Sequence, residues 1–167
     1  MTLLSAWAAR CPMAWREGAM KRQIRVLFFS TGSATRSRMA EAFLRKIFGE
    51  QIVAASTAVK SVEANPLAVD VMREVGLDIT RQHPEPVAES FKHHFACVVT
   101  LSDDAKERRP VWPFTSNIVH WSLTEPMVIG GPVDEQREGF RRMRDEIQRL
   151  VQEFANRVAP QLLAVAK

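Results

Sequence analysis

An α/β fold is predicted for this chain: a three-layer, doubly wound sheet of four parallel strands with helices on both faces. Three observations predict it. Four short apolar runs are spread along the sequence, the segments between them carry apolar residues at helical spacing, and the two kinds of segment alternate. Short, continuously apolar runs suit parallel strands covered on both faces. Strand–helix–strand alternation joins such strands by right-handed crossovers.

The first strand is Ile24–Phe29. Met39, Phe43, Leu44 and Ile47 then form one apolar stripe, and Gly49 ends that helix. Ile52–Ser56 is the second strand. Asn65-Pro66 opens the next helix as cap and first-turn proline. Its stripe is Leu67, Val71, Met72 and Val75, and it stops at Gly76. A short helix is expected from Pro86 to His94, around Val87 and Phe91. Phe95–Leu101 is the third strand and Asn117–Trp121 the fourth. The longest helix carries Phe140, Met143, Ile147, Leu150, Val151, Phe154 and Val158, and Pro160 ends or kinks it.

The chain has 167 residues, enough for one domain with a sizeable core. A formal net charge of +4 favours an anionic ligand. The basic residues are dispersed, so no nucleic-acid partner is expected. No apolar run approaches the roughly 18 residues of a membrane span, so no membrane partner is expected. The two cysteines, Cys11 and Cys97, have no metal-ligand spacing and form no Cys-x-x-Cys motif. No metal and no cofactor are expected, and a reducing, cytoplasmic location fits. Cys97 reads as a small buried hydrophobe. Residues 1–22 read as an N-terminal extension, residues 23–160 as the domain and residues 161–167 as a tail. In the extension, Arg10 and Arg16 interrupt Leu3, Leu4, Trp7, Met13 and Trp15, unlike a secretory signal. An over-extended start ahead of Met20 and a docked amphipathic segment are the two readings of it.

The most informative stretch is Ser30-Thr31-Gly32-Ser33-Ala34-Thr35-Arg36-Ser37, directly after the first strand. Strand, loop of small residues, arginine and then a helix starting near Ser37 is the layout of an anion cradle. Backbone N–H groups from Thr31 to Thr35 can converge on one point, and the helix N-terminus adds partial positive charge. Gly32 can take positive φ at little cost. Arg36 offers a planar fork that matches two oxygens of phosphate, arsenate or sulfate. A plain strand–helix connection with a capping serine is the competing reading. The stretch is not a Walker A loop, since Gly-x-x-x-x-Gly-Lys is absent.

The chain from Ile24 to about Val158 resembles the thioredoxin-coupled arsenate reductases, which share a fold with the low-molecular-weight protein tyrosine phosphatases. The family loop reads Cys-Thr-Gly-Asn-Ser-Cys-Arg-Ser before a Met-Ala-Glu helix, matched here by Ser30–Ser37 and Met39-Ala40-Glu41. Asn65-Pro66-Leu67-Ala68-Val69, Val99-Thr100, Asp103 followed by Ala105-Lys106-Glu107, Pro110-Val111-Trp112-Pro113 and His120-Trp121-Ser122 match as well, as do Phe140-Arg141 and Arg144-Asp145-Glu146-Ile147.

The departures fall on the chemistry. The resemblance puts the nucleophilic cysteine at Ser30, the two redox cysteines at Ser102 and Arg109, and the loop asparagine at Ser33. Arsenate reduction in that class needs a thiolate adduct and then a disulfide, which this pattern does not supply. The phosphatases' acidic Asp-Pro corresponds to Glu125-Pro126, so Glu125 is a candidate general acid.

The first reading is a catalytically degenerate member that binds an inorganic oxyanion or a phosphorylated partner through Thr31 to Arg36, with Ser37 stabilising the loop. The second is a slow phosphatase that uses Ser30 or water with Glu125. The third is a protein-interaction module. His83, His93 and His94 read as solvated, and His120 reads as structural through the resemblance. Arg141, Arg142 and Arg144 read as a solvated helix face. Arg108 and Arg109 read as exposed, beside Glu107.

Overall fold

The computed structural model describes residues 24–60, 63–113, 115, 117–124, 126 and 131–165. In chain order the elements are β1 (Ile24–Ser30), α1 (Thr35–Phe48), β2 (Ile52–Ala58), α2 (Pro66–Glu74), β3 (Glu85–Pro86), α3 (Val87–Ser90), β4 (Cys97–Thr100), α4 (Asp103–Glu107), β5 (Ile118–His120), α5 (Val133–Arg157) and α6 (Ala159–Val165). The sheet order is β3-β2-β1-β4-β5, and every pairing is parallel.

β1 is the central strand, and its sequence explains why. Val26, Leu27, Phe28 and Phe29 are all fully buried, a position only an apolar run can occupy. Alternate residues serve opposite faces. Val26 and Phe28 pack with Met39, Phe43 and Leu44 of α1, Val71 and Met72 of α2, and Phe140 and Ile147 of α5. Leu27 and Phe29 pack with Phe95, Val98, Ala105 and Trp112. Trp112 meets the Phe29 ring edge-on at 5.2 Å, and its Nε1 donates to Ser90 Oγ at 2.8 Å. That contact fastens α3 to the smaller face.

Most expected elements form, with shifted ends. The sheet gains a fifth strand, the two-residue edge β3. A Glu-Pro pair carries no apolar pattern, and proline cannot donate to a ladder. Thr57 Oγ1, donating to the Glu85 carbonyl at 2.6 Å, supplies part of the attachment. The third and fourth strands are shorter than their apolar runs. The helix expected from Pro86 to His94 is only Val87–Ser90. Asn65 caps α2 as expected, its side chain accepting the Leu67 N–H at 2.9 Å. Gly49 and Gly76 take φ of 54° and 75° at the ends of α1 and α2. Residues 161–165, expected as tail, form most of α6, which buries Leu162 against the core.

The arginines of α5 are not a solvated face. Arg141 holds both carboxylate oxygens of Glu74, and Arg144, 9% exposed, reaches Glu74 Oε2 and the Val71 carbonyl, each at 2.9 Å. These bonds join α5 to the end of α2, and hydrogen bonds from Arg141 hold the Glu74 carboxyl down to about 2. Arg142 is exposed.

Glu41 ties α1 to the sheet. It is 6% exposed, accepts from Ser56 Oγ at 2.6 Å and pairs with Arg45. Burial pushes its carboxyl up, against the lowering effects of Ser56, Arg45 and Arg38. An acid whose pKa rises on folding contributes stability below its unfolded pKa and loses it as pH rises through the folded value. Glu41→Gln keeps an acceptor for Ser56 but cannot titrate. Parent stability relative to this variant therefore rises as pH falls from neutrality through the carboxylate range, as read by urea unfolding at fixed ionic strength. A gap independent of pH contradicts this.

Candidate functional site

The site lies at the carboxyl end of β1, between the edge that pairs with β2 and the edge that pairs with β4. That is the switch point of a doubly wound sheet, where crevices open. Both flanks are fixed by backbone bonds. Val59 N–H donates to the Ser30 carbonyl at 3.3 Å, and Leu101 N–H donates to the Phe29 carbonyl at 3.1 Å.

From Ser30 the chain passes through Thr31, Gly32 and Ser33 into α1. The helix begins at Thr35, two residues before the expected start near Ser37. Its N-cap is Ala34, which has no side chain to satisfy the first turn. Gly32 is not among the positive-φ glycines, so its use is small size rather than unusual φ. Among the described residues, no acceptor takes the backbone N–H of Thr31, Gly32, Ala34 or Thr35. Ala34 and Thr35 are each only 1% exposed. Buried N–H groups almost always have a partner, and each costs about 1–3 kcal/mol without one. Of the four donors, Ala34 and Thr35 lie at the uncapped start of α1, and Thr31 and Gly32 are half-buried in the loop before it.

The loop holds its shape through its own hydroxyls. Ser30 is fully buried, and its Oγ lies 3.1 Å from the Ser33 carbonyl and 3.3 Å from Ser37 Oγ. Ser37 Oγ donates to the Ala34 carbonyl at 3.1 Å, and Ser33 Oγ donates to Thr35 Oγ1 at 3.1 Å. Ser37 thus bonds to both Ser30 and Ala34 within the loop. The Ser30 proton has a carbonyl and a hydroxyl to go to, and neither is a base. An alcohol needs an adjacent base to become a nucleophile.

Arg36 is 6% exposed and reaches across the sheet end. Its Nη1 donates to the Leu123 carbonyl at 2.7 Å and, more weakly, to the Leu101 carbonyl at 3.5 Å. The short contact is of charge-assisted length and anchors the Nη1 end of the guanidinium.

The positions matched to redox cysteines have other work. Ser102 caps α4, its Oγ accepting the Ala105 N–H at 3.1 Å. Arg109 is exposed, and Arg108 pairs with Asp104 at 2.9 Å rather than with Glu107. Cys97 is fully buried, and burial pushes its thiol up to about 12. It pairs with Val26, four residues before Ser30, so it sits roughly 13 Å back along the strands. Glu125 lies outside the described residues, as do Cys11 and the rest of the N-terminal extension.

Sequence reasoning missed a network beside the loop. Thr100 Oγ1 meets His120 Nδ1 at 2.8 Å, His120 Nε2 meets Asp103 Oδ1 at 2.9 Å, and Ser122 Oγ donates to Asp103 Oδ2 at 2.9 Å. His120 was read as structural, but its partners are far apart in sequence and no spacing announces them. His83 and His94 are exposed, whereas His93 is half-buried against Phe95. An open pocket of about 300 Å³ lies between Leu123, Pro126 and the α5 residues Gly139 and Met143. Among the described residues, no three His, Cys, Asp or Glu side chains gather to hold a metal, and no helix is long and apolar enough to cross a membrane.

Comparison with known proteins bears on the family and the fold. Arsenate reductase of Bacillus licheniformis is 33% identical over 130 residues, covering 78% of this chain and 94% of that protein. The solved structure of an arsenate reductase in the phosphate binding state superposes with a TM-score of 0.64 at 25% identity, covering 87% of this chain and all of that one. The YwlE arginine phosphatase from Geobacillus stearothermophilus superposes with a TM-score of 0.63 at 25% identity, covering 84% of this chain and 96% of that one. Residues 25–163 match the low molecular weight phosphotyrosine protein phosphatase family, and this chain belongs to that family.

Proposed function

We propose that this protein binds phosphate- or arsenate-type oxyanions, free or on a phosphorylated partner, in the loop Ser30–Ser37, and does not turn them over. The observation that carries the reading is the set of backbone donors at Thr31, Gly32, Ala34 and Thr35 that have no acceptor within the described chain. An oxyanion offers several acceptor oxygens and negative charge, and the N-terminus of α1 presents about half a positive charge to receive them. Arg36 adds a guanidinium whose Nη1 is held by the Leu123 carbonyl. A solved arsenate reductase in a phosphate binding state lends weight to the choice of ligand.

The groups around Ser30 support the absence of turnover. Phosphoryl transfer to Ser30 would require its proton to leave, and its neighbours are a carbonyl and a hydroxyl. Reduction of arsenate would require two thiols that can meet. Ser102 and Arg109 stand where the resemblance places those thiols, and Cys97 is buried in mid-sheet.

Calorimetry with inorganic phosphate and arsenate tests the binding. Saturable binding is expected in the parent, weakened roughly 10- to 100-fold in Arg36→Ala, the loss of about 1.5–3 kcal/mol for a hydrogen bond to a charged group. Equal affinity in parent and variant would remove Arg36 from the site.

Ser30→Cys tests the chemistry. A thiol at the start of α1 has its pKa lowered by the helix terminus and becomes a nucleophile that the alcohol is not. Aryl phosphate hydrolysis is expected to rise at least ~100-fold over the parent. Thioredoxin-coupled arsenate reduction is expected to stay absent. No gain in hydrolysis would show that Ser30 is not the group that limits turnover.

A further inference from the structure

The loop's arginine is aimed from outside the loop. Of the two carbonyls that take Arg36 Nη1, that of Leu101 follows β4 directly and is anchored by the Leu101 N–H bond to β1. The nearer carbonyl, that of Leu123, belongs to a segment after β5 with no regular structure of its own. The Leu123 side chain is buried in the core, so what its neighbours in the chain can still set is the direction of its carbonyl.

One side chain grips those neighbours twice. Asp103 holds His120 through Oδ1 and Ser122 through Oδ2, each at 2.9 Å. Thr100 Oγ1 holds the other nitrogen of the same imidazole at 2.8 Å. Asp103 is the first residue of α4, whose start is fixed by the Ser102 cap. The carboxylate is 73% exposed, so it is dispensable for burying core, yet both of its oxygens are engaged. The hydrogen bonds from His120 and then Ser122 keep it in its charged form.

We propose that Asp103 is a positioning residue for the anion loop: by gripping His120 and Ser122 it holds the Leu123 carbonyl against Arg36 Nη1 and so sets the plane of the guanidinium. Asp103 does not touch the cradle. It acts through a carbonyl and an arginine, and recognition of two oxygens by a planar fork tolerates only about 10–20° of misdirection. The consequence for affinity rests on the oxyanion reading above, whereas the aiming of Arg36 does not.

The test uses the full chain and two readouts: side-chain nitrogen NMR of Arg36 without ligand, and calorimetry with inorganic phosphate. Asp104→Ala is the control, because Asp104 lies in the same turn of α4 but holds Arg108. Asp103→Ala is expected to move the Arg36 Nη1 signals toward rotational averaging and to weaken phosphate binding roughly 3- to 30-fold. Asp104→Ala is expected to change neither, and Ser122→Ala, which removes one of the two grips, to fall between. Arg36 signals and phosphate affinity unchanged in Asp103→Ala overturn the proposal. If the parent binds no phosphate, the oxyanion reading fails, and the ligand-free Arg36 signals still decide whether Asp103 aims the guanidinium.

Discussion

The start of α1 presses the backbone donors of Ala34 and Thr35, which have no acceptor among the described residues, into the carboxyl end of β1, and the architecture around them keeps them there. A helix N-terminus left without a cap normally reaches solvent. Here Ala34 and Thr35 are buried instead, because β1 is the central strand and α1 must return directly across it to cover Val26 and Phe28. The fold therefore carries an energetic debt at this one place, about 1–3 kcal/mol for each donor left unmatched. On the proposed reading, an oxyanion in the loop would supply the acceptors that these donors lack.

The same packing shows how the loop holds its shape with serine at position 30. Ser30 and Ser37 cross-link the loop internally, and the arginine that follows is held by carbonyls on the far side of the sheet. None of these bonds needs a cysteine at Ser30. The serine fits the buried space, and its hydroxyl closes the loop from inside. On the proposed reading, binding and chemistry are separable in this fold: the backbone and Arg36 would do the first, and the atom at Ser30 would decide the second.

Much of this was legible in the sequence, for identifiable reasons. The first strand was readable because both faces of β1 are covered, so its apolar run is unbroken. The starts and stops of α2 were readable because Asn65, Pro66 and Gly76 act locally through backbone geometry. The position of the anion loop followed from small residues, an arginine and a strand end. What the sequence concealed was long-range. The edge strand β3 has no pattern of its own and forms where β2 offers a free edge. The roles of Arg141 and Arg144 depend on a glutamate about 70 residues away. The bond from Arg36 to Leu123 and the grip of Asp103 on His120 and Ser122 join segments whose meeting only the sheet order decides. Local chemistry is written in neighbours, and the aiming of an arginine is written in topology.

The central claim is that this protein occupies its loop with an oxyanion and does not form a covalent bond to it. Intact-mass spectrometry of the parent, quenched in acid after saturation with an aryl phosphate, measures that most directly. The account predicts the unmodified mass at every time of incubation, with the aryl phosphate recovered whole. A phosphorylated species that disappears in Ser30→Ala would contradict it and make Ser30 a working nucleophile.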